Sequence, residues 1–280
     1  MRALTFLARR FVAGDDLSEA IDAVRELNAD GLKATLDNLG EDSLDRAQAL
    51  AAADENLAML RRLSESGVDA NISLKLTQLG LSFDEKLAAE SLLRIVEEAQ
   101  RLKNFVRIDM EASQWTQKTL DLFYSLHGKY PGVGIVLQSN LRRTEQDARD
   151  AVARKARVRL CKGAYREPAT VAFPDKKDVD ASYDRCSAIL AGAPIPAVAT
   201  HDDARIAAAL KAFDAAGLVK SDYELQMLYG IRGKRARELR SLGHTVRIYV
   251  PYGSRWFAYF YRRIRERKEN LLFVARNLVE

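Results

Sequence analysis

The feature that most constrains the fold of this chain is a regular alternation of short β-rich segments with longer amphipathic stretches. Between the β-rich segments, apolar residues recur at helical spacing, as at Ala88, Leu92, Ile95 and Ala99, with charged residues on the other face. Repeated alternation of strand and helix predicts a parallel sheet with helical crossovers. The β-rich segments lie at 33–37, 70–76, 105–111, 134–139, 157–163, 196–201, 223–228 and 244–250.

The number of these units favours a closed sheet. Eight strand–helix units within 280 residues are typical of the α/β class and of a (β/α)8 TIM-type barrel. We expect one barrel domain over 1–280, in which 1–30 form an N-terminal helical extension with a helix from Leu17 to Leu27. An open doubly wound sheet is the alternative. Such a sheet normally has a glycine-rich first turn, which KATLDNLGEDS at 33–43 does not provide.

Composition excludes several classes of protein. Hydrophobic residues make up 48% and charged residues 30%, which is typical of a globular protein. A net charge of +5, dispersed along the chain, is too small to indicate a nucleic-acid-binding protein, although it suits an anionic ligand. Two cysteines cannot form a disulfide framework, and we find neither a signal peptide nor a membrane span. These features predict a cytoplasmic protein that could contact a membrane surface peripherally.

Each predicted strand has an apolar and a polar phase. In 105–111, for example, Val106 and Ile108 alternate with Arg107 and Asp109. Because helices cover the outside of a barrel, we expect the apolar phase to face outward and the polar phase to face the interior. Barrel enzymes hold their active sites at the C-terminal strand ends. The polar positions predicted nearest these ends are Lys75, Asp109, Gln138, Arg159, His201, Gln226 and Tyr249. A sheet with one face in water is the alternative explanation.

Two strand ends have features that suit a ligand. Gly163 follows Arg159 closely, so a fixed cation lies near a point where a ligand can approach the backbone. Thr200, His201 and Asp202 precede a predicted helix, and a helix N-terminus with such side chains suits phosphate. A structural ion pair and an ordinary N-cap are the alternatives. Ser43 is a second predicted N-cap.

The C-terminal region contains a group of aromatic and basic residues. On a helix, Tyr259 would neighbour Arg262 and Arg263, and paired guanidinium groups bind carboxylates well. A solvated basic helix face is the alternative. The long connection at 165–180 is either a lid over the barrel mouth or a surface excursion. No HExxH, CxxC, P-loop or GxSxG motif occurs, so we expect no metal site.

Taken in order, several motifs make the chain resemble the proline dehydrogenase family over almost its whole length. The motifs are SLKL around Lys75, RIDMEAS around Asp109, IVLQSNLRRT around Gln138, RLCKGAYREP, ATHD, YELQMLYGIR and RIYVPYGSRWFAYFYRRIRE. The resemblance implies a distorted barrel that holds FAD noncovalently. It also implies oxidation of L-proline to Δ1-pyrroline-5-carboxylate, with electrons passed to a membrane quinone, and no fused DNA-binding or aldehyde dehydrogenase module.

The resemblance also implies roles for individual residues. Asp109 and Arg159 would take part in catalysis, with Asp109 orienting a tyrosine or lysine partner and Arg159 lying near the flavin N5. The implied proline-binding residues are Lys75, Tyr165, Leu228, Tyr249, Tyr259, Arg262 and Arg263. The implied cofactor-binding residues are Met110, Gln138, Arg159, Cys161, Lys162, Gly163, Ala164, Thr200, His201 and Glu266. Cys161 departs from the valine that is common in the family.

Two other classes of function remain as alternatives at this point. A lyase barrel could use Lys75 or Lys162 as a Schiff-base amine. A non-enzymatic module could bind nucleic acid through the basic residues at 262–268. The nucleic-acid module gives no reason for seven unlike polar residues at the strand ends.

Overall fold

The structure is a computed structural model that describes residues 10–40 and 42–254. Its elements alternate strictly, beginning with a helix. The helices are α1 (Leu17–Ala29), α2 (Arg46–Ser66), α3 (Glu85–Arg101), α4 (Ser113–His127), α5 (Thr144–Ala153), α6 (Lys176–Leu190), α7 (Asp203–Ala215) and α8 (Gly233–Ser241). The strands are β1 (Lys33–Asn38), β2 (Ala70–Leu74), β3 (Val106–Ile108), β4 (Val133–Gln138), β5 (Arg157–Cys161), β6 (Ala197–Ala199), β7 (Glu224–Leu228) and β8 (Val246–Tyr252).

The eight strands form one closed parallel barrel in sequence order. Closure occurs between β8 and β1, where Lys33 pairs with Arg247 and Asn38 pairs with Tyr252. The predicted (β/α)8 barrel is confirmed, and the open-sheet alternative is wrong. Every predicted strand segment overlaps an observed strand. Five strands lie within the predicted segment, and β1, β4 and β8 extend one or two residues beyond it at one end.

Local sequence signals determine where the helices begin and end. The Asp202 side chain accepts a hydrogen bond from the backbone N–H of Ala204 and caps α7, as predicted. The prediction for Ser43 is wrong, because Asp45 caps α2 by accepting from the N–H of Gln48. Ser43 is instead buried, and its hydroxyl donates to the carbonyl of Gln78 at 2.7 Å. The segment predicted as the 165–180 connection is shorter, since α6 already begins at Lys176.

The two phases of the strands separate as expected. Ile72 and Ile108 are fully buried in the apolar layer between the strands and the helices. The intervening polar residues face the interior, where Ser73 bonds to the Asp109 carboxylate from the neighbouring strand. The barrel interior is therefore polar along its length, and the groups near the C-terminal strand ends are separate from those near the N-terminal ends.

The placement of Gln226 differs from the prediction. Its amide donates to the Glu224 carboxylate at 2.8 Å, and it lines a cavity at the N-terminal end of the barrel. Gln226 therefore belongs to the lower interior and not to the mouth. Within the described ranges, no helix has the length and apolarity required to cross a membrane.

Candidate active site

The mouth of the barrel is organised around the buried carboxylate of Asp109, which follows β3. The Tyr249 hydroxyl on β8 donates to Asp109 Oδ2 at 2.8 Å, and the Ser73 hydroxyl on β2 donates to Oδ1 at 2.5 Å. The Arg159 guanidinium on β5 forms an ion pair with Oδ1, and Lys75 Nζ lies 3.7 Å from Oδ2. Three strands, with Lys75 directly after β2, thus supply donors to one carboxylate. We call these five residues, together with Asp37, the mouth cluster.

Asp109 is held in its charged form. Burial alone would raise its pKa, but the charges of Arg159 and Lys75 and the hydrogen bonds from Ser73 and Tyr249 outweigh burial and lower it. An anionic carboxylate with this many donors acts as an acceptor that fixes its neighbours. It is therefore suited to orienting Tyr249 and Lys75 and not to donating a proton.

Asp37 is a member of the mouth cluster that the sequence analysis did not select. Its carboxylate accepts from Lys75 Nζ at 3.0 and 2.9 Å, and it is fully buried. Burial raises the pKa of Asp37, and the nearby Asp109 charge adds to this effect, while Lys75 opposes it. The alternation of polar and apolar residues in β1 indicates Asp37, because Asp37 and Thr35 lie in the same polar phase. The cluster therefore contains two carboxylates and two cations.

The Arg159 guanidinium occupies the centre of the mouth. It lies 5.1 Å from the centre of the Tyr249 ring and is only 6% exposed. Its Nη2 also donates to the Ser73 hydroxyl at 3.3 Å. Held by the ion pair, the hydroxyl and the aromatic ring, Arg159 is a pre-positioned cation that need not reorganise when negative charge develops beside it.

The segment after β5 forms one side of the rim. Lys162 Nζ contacts Asp180 at 2.6 Å and Asp202 at 2.9 Å, which ties the strand end to α6 and α7. Gly163 has a φ of 104°, and a Cβ there would lie 2.2 Å from the Asn140 amide oxygen. Only glycine fits at this position, so the backbone packs closely against the end of β4. Ala164 is exposed beside it.

The next part of the rim lies after β6. The Thr200 hydroxyl accepts from the N–H of Asp202 at 3.1 Å. The backbone N–H of Leu228 donates to Nε2 of His201 at 3.0 Å, so the neutral ring carries its proton on Nδ1. Thr200 and His201 therefore stand at the N-terminus of α7, and His201 is oriented by the end of β7.

Gln138 connects the mouth to a further buried carboxyl group, that of Glu111. Its amide donates to the backbone carbonyl of Glu111 at 2.9 Å. The hydroxyl of Thr77 contacts both Glu111, at 2.5 Å, and Asp42, at 2.7 Å. A hydroxyl has one proton and can donate to only one of them at a time. Burial raises the pKa of Glu111 to about 7, against the opposing effect of the Thr77 hydrogen bonds.

The remaining candidate residues have different placements. Met110 is buried next to Asp109. Cys161 is half-buried, with its sulfur 3.6 Å from the carbonyl of Leu137. Leu228 and Tyr165 are half-buried, at the end of β7 and in the β5–α6 connection. Tyr259, Arg262, Arg263 and Glu266 lie outside the described residues.

The geometry disfavours the lyase alternative. A Schiff-base lysine must act as a free amine. Lys75 and Lys162 each form ion pairs with two carboxylates, so neither amine is free to attack a carbonyl group. The mouth instead presents fixed charges and hydrogen-bond donors, an arrangement suited to orienting an ionic substrate.

Comparison with known proteins identifies the family. The family model described as proline dehydrogenase matches residues 20–276. Proline dehydrogenase 1 of Bacillus subtilis is 39% identical over 274 residues, covering 98% of this chain and 91% of the relative. Proline dehydrogenase of Deinococcus radiodurans is 39% identical over 281 residues, covering 98% of this chain and 90% of the relative.

The fold agrees with a solved structure of much lower sequence similarity. Proline utilization A (PutA) from Bdellovibrio bacteriovorus, described as inactivated by N-propargylglycine, superposes with a TM-score of 0.85 at 22% identity. The match covers 93% of this chain and 32% of that larger chain. The sequence relatives support an enzyme that oxidises proline in proline catabolism. This chain belongs to the proline dehydrogenase family.

Proposed function

We propose that the mouth of the barrel oxidises L-proline to Δ1-pyrroline-5-carboxylate, with FAD as the noncovalent electron acceptor and a membrane quinone as the final one. The observation that carries the proposal is the mouth cluster, in which Arg159, Tyr249 and Lys75 are held around the Asp109 carboxylate. Membership of the proline dehydrogenase family supports the substrate. The family's flavoenzymes support the cofactor.

The residues at the mouth fit a flavin. Arg159 provides a fixed cation for a ring system that gains negative charge. The N-terminus of α7, with Thr200 and His201, suits a phosphate group. The residues that would hold the cofactor are Met110, Gln138, Arg159, Cys161, Lys162, Gly163, Ala164, Thr200 and His201, with Glu266 outside the described residues. Bound FAD would supply a two-electron acceptor.

The chain's own residues position the substrate. Lys75, already anchored by Asp37, presents an ammonium group to the proline carboxylate, and the side chains of Tyr249, Leu228 and Tyr165 would line the proline ring. Tyr259, Arg262 and Arg263 complete the proposed site, with both arginines on the carboxylate. Proline would then lose a hydride to the bound FAD from C5, the ring carbon bonded to nitrogen that does not carry the carboxylate, and a proton from nitrogen to solvent.

This orientation accounts for the role of Asp109 and Arg159. The Asp109 carboxylate keeps Tyr249 and Lys75 in place on the substrate side, while Arg159 stands where the developing charge requires a cation. Because Asp109 is anionic and its oxygens accept from several donors, we assign it no proton transfer. We further propose a cytoplasmic protein whose contact with the membrane is peripheral and serves the quinone.

The decisive experiment is an anaerobic absorbance spectrum of the purified protein with and without L-proline. We expect flavin bands that bleach when L-proline is added and return when a soluble quinone is added. A colourless protein, or flavin bands unaffected by L-proline, would contradict the proposal. D-proline is the matched control, because it places the carboxylate away from Lys75.

The substrate clamp is tested separately with Arg263→Met. We expect a strong rise in the KM for proline, because one of the two guanidinium groups on the carboxylate is removed. The flavin content should remain that of the unmodified protein. Unchanged proline kinetics in both Arg263→Met and Arg262→Met would refute the clamp.

A further inference from the structure

The N-terminal end of the barrel interior contains more positive charge than negative charge. Arg107 on β3, Arg157 on β5 and Arg247 on β8 line one small cavity there, and Glu224 on β7 is the carboxylate that lines it. We call this space the lower arginine cavity. It lies at the opposite end of the strands from the mouth cluster, so its role is independent of the proposed function.

Glu224 forms its ion pair with one of the three arginines. Arg247 donates from Nε and Nη2 to the two Glu224 oxygens at 2.9 and 2.8 Å. Its Nη1 donates to the carbonyl of Ala34 at 2.6 Å and to the amide oxygen of Asn71 at 2.8 Å. Burial alone would raise the pKa of Glu224, but the Arg247 charge lowers it to about 2, so this pair is ionic. Arg247 and Glu224 therefore balance each other.

The other two arginines have no carboxylate partner among the residues that the structure describes. Arg107 Nη1 donates to the backbone carbonyls of Ile135 and Arg157, at 3.1 and 2.8 Å. Both guanidinium groups lie over the ring of Phe105, at 4.8 Å for Arg107 and 4.0 Å for Arg157. The Nε of Arg157 is buried without a hydrogen-bond acceptor. Neither guanidinium group forms a direct ion pair, although the charge of Glu224 on the same cavity acts on both.

A glycine allows the Arg107 and Phe105 side chains to pack against the backbone of β4 beside the cavity. Gly134 on β4 pairs in register with Arg107 on one side and Arg157 on the other. A Cβ at Gly134 would lie 2.6 Å from Arg107 Nη1 and 2.6 Å from the Phe105 ring. The lower arginine cavity has a volume of about 20 Å³. It is lined by Thr35, Asn71, Phe105, Arg107, Arg157, Glu224, Gln226 and Arg247.

Unbalanced buried charge is costly, and the fold offers a way to balance it. An unpaired buried charge is destabilising by several kcal/mol, which an anion of opposite charge offsets. A volume of about 20 Å³ admits a particle close to the size of one water molecule. The occupant that fits both the charge and the volume is a small monovalent anion.

We propose that the lower arginine cavity binds one halide-sized inorganic anion, chloride under ordinary conditions, between Arg107 and Arg157. The anion stabilises the barrel and does not take part in the reaction at the mouth. The Nε–H group of Arg157, which is buried without an acceptor, is the donor that would bind the anion.

The test compares thermal unfolding of the full chain in chloride and in gluconate at the same ionic strength. Chloride should raise Tm by about 2 to 4 °C with saturation, because a ligand that binds only the folded state stabilises it. Arg157→Gln should abolish the difference. Arg149→Gln, which removes an exposed arginine on α5, should retain it. Equal Tm values in the two salts, or a chloride effect that survives in Arg157→Gln, would overturn the proposal.

A second measurement does not depend on the stability of a variant. Crystals of the unmodified protein soaked in bromide should show an anomalous peak between the two guanidinium groups. Density that fits only water there, with no anomalous signal, would overturn the proposal. Bromide peaks confined to surface lysines would also overturn the proposal.

Discussion

At the scale of the residue, the mouth depends on how one carboxylate is satisfied. Asp109 gains its acceptor role from groups on three other strands, none of which is near it in sequence. Arg159 is separated from Asp109 by 50 positions and Tyr249 by 140. Asp109 therefore keeps its charge in a buried position because the barrel assembles these donors around it.

Asp109→Asn should test this role directly. The amide keeps the shape of the side chain but removes the charge that orients Lys75 and Arg159, so we expect kcat/KM for L-proline to fall by about 100-fold. The measurement is steady-state proline oxidation, with circular dichroism to verify that the variant is folded. Asp54→Asn, which changes an exposed carboxylate on α2, is the control. Activity close to that of the unmodified enzyme would rule out the orienting role.

Glu111 makes a prediction about pH. Burial raises the pKa of Glu111 to about 7 from 4.5, so the folded protein binds this proton more tightly than the unfolded chain does. Its contribution to stability is then complete below about pH 4.5 and is lost as the pH rises through about 7, up to a limit of about 3 kcal/mol.

Glu111→Gln should remove that part of the pH dependence. The neutral amide has no proton to lose, so the free energy of unfolding, measured in urea between pH 5 and 8, should decline less steeply than in the unmodified protein. Glu90→Gln on the exposed face of α3 is the control. Identical slopes in Glu111→Gln and the unmodified protein would contradict the assignment.

At the scale of the element, caps and strand ends decide how each unit meets the mouth. α2 begins at Arg46 because Asp45 accepts the N–H of Gln48, and it ends at Gly67, whose φ of 68° suits glycine. Ser43, two residues earlier, has a tertiary partner in the carbonyl of Gln78. A side chain that can cap a helix does so only when no stronger tertiary contact takes its hydroxyl.

Asp45→Ala should show the value of this cap. Removal of the acceptor leaves the N–H of Gln48 without its side-chain partner, so we expect a loss of about 1 kcal/mol in the free energy of unfolding. Asp45→Asn retains an amide oxygen that can accept and should lose much less. Equal losses in the two variants, measured by chemical denaturation, would show that the effect is not capping.

At the scale of the whole molecule, Arg247 joins the strands on both sides of the closure. From β8 it bonds to Glu224 on β7, to the backbone of β1 at Ala34 and to Asn71 on β2. It is 9% exposed and Glu224 is 5% exposed, so the pair is largely removed from water. This ion pair and its hydrogen bonds therefore contribute to holding the last strand against the first two.

Glu224→Gln should be strongly destabilising. It leaves three arginines in the lower interior without a carboxylate, and breaking a buried pair typically costs about 3–5 kcal/mol. The double variant Glu224→Gln, Arg247→Met should recover part of the loss, as measured by urea denaturation. In the unmodified protein, this contribution is present above about pH 4.5 and declines as the pH falls towards about 2. A single variant as stable as the unmodified protein would refute this role.

The sequence by itself determined the periodicity of this protein and therefore its architecture. Strand period, helical spacing and polar phases are local properties, and they sufficed to predict a closed parallel barrel with a polar interior. The same phases placed Asp109, Arg159 and Lys75 inside it. The tertiary structure alone decided which polar groups meet at which end. Strands in a barrel are tilted and staggered, so position along a strand does not give height along the axis. For that reason Gln226 lies in the lower interior, Asp37 joins Lys75 at the mouth, and Arg107 and Arg157 stand together across Gly134.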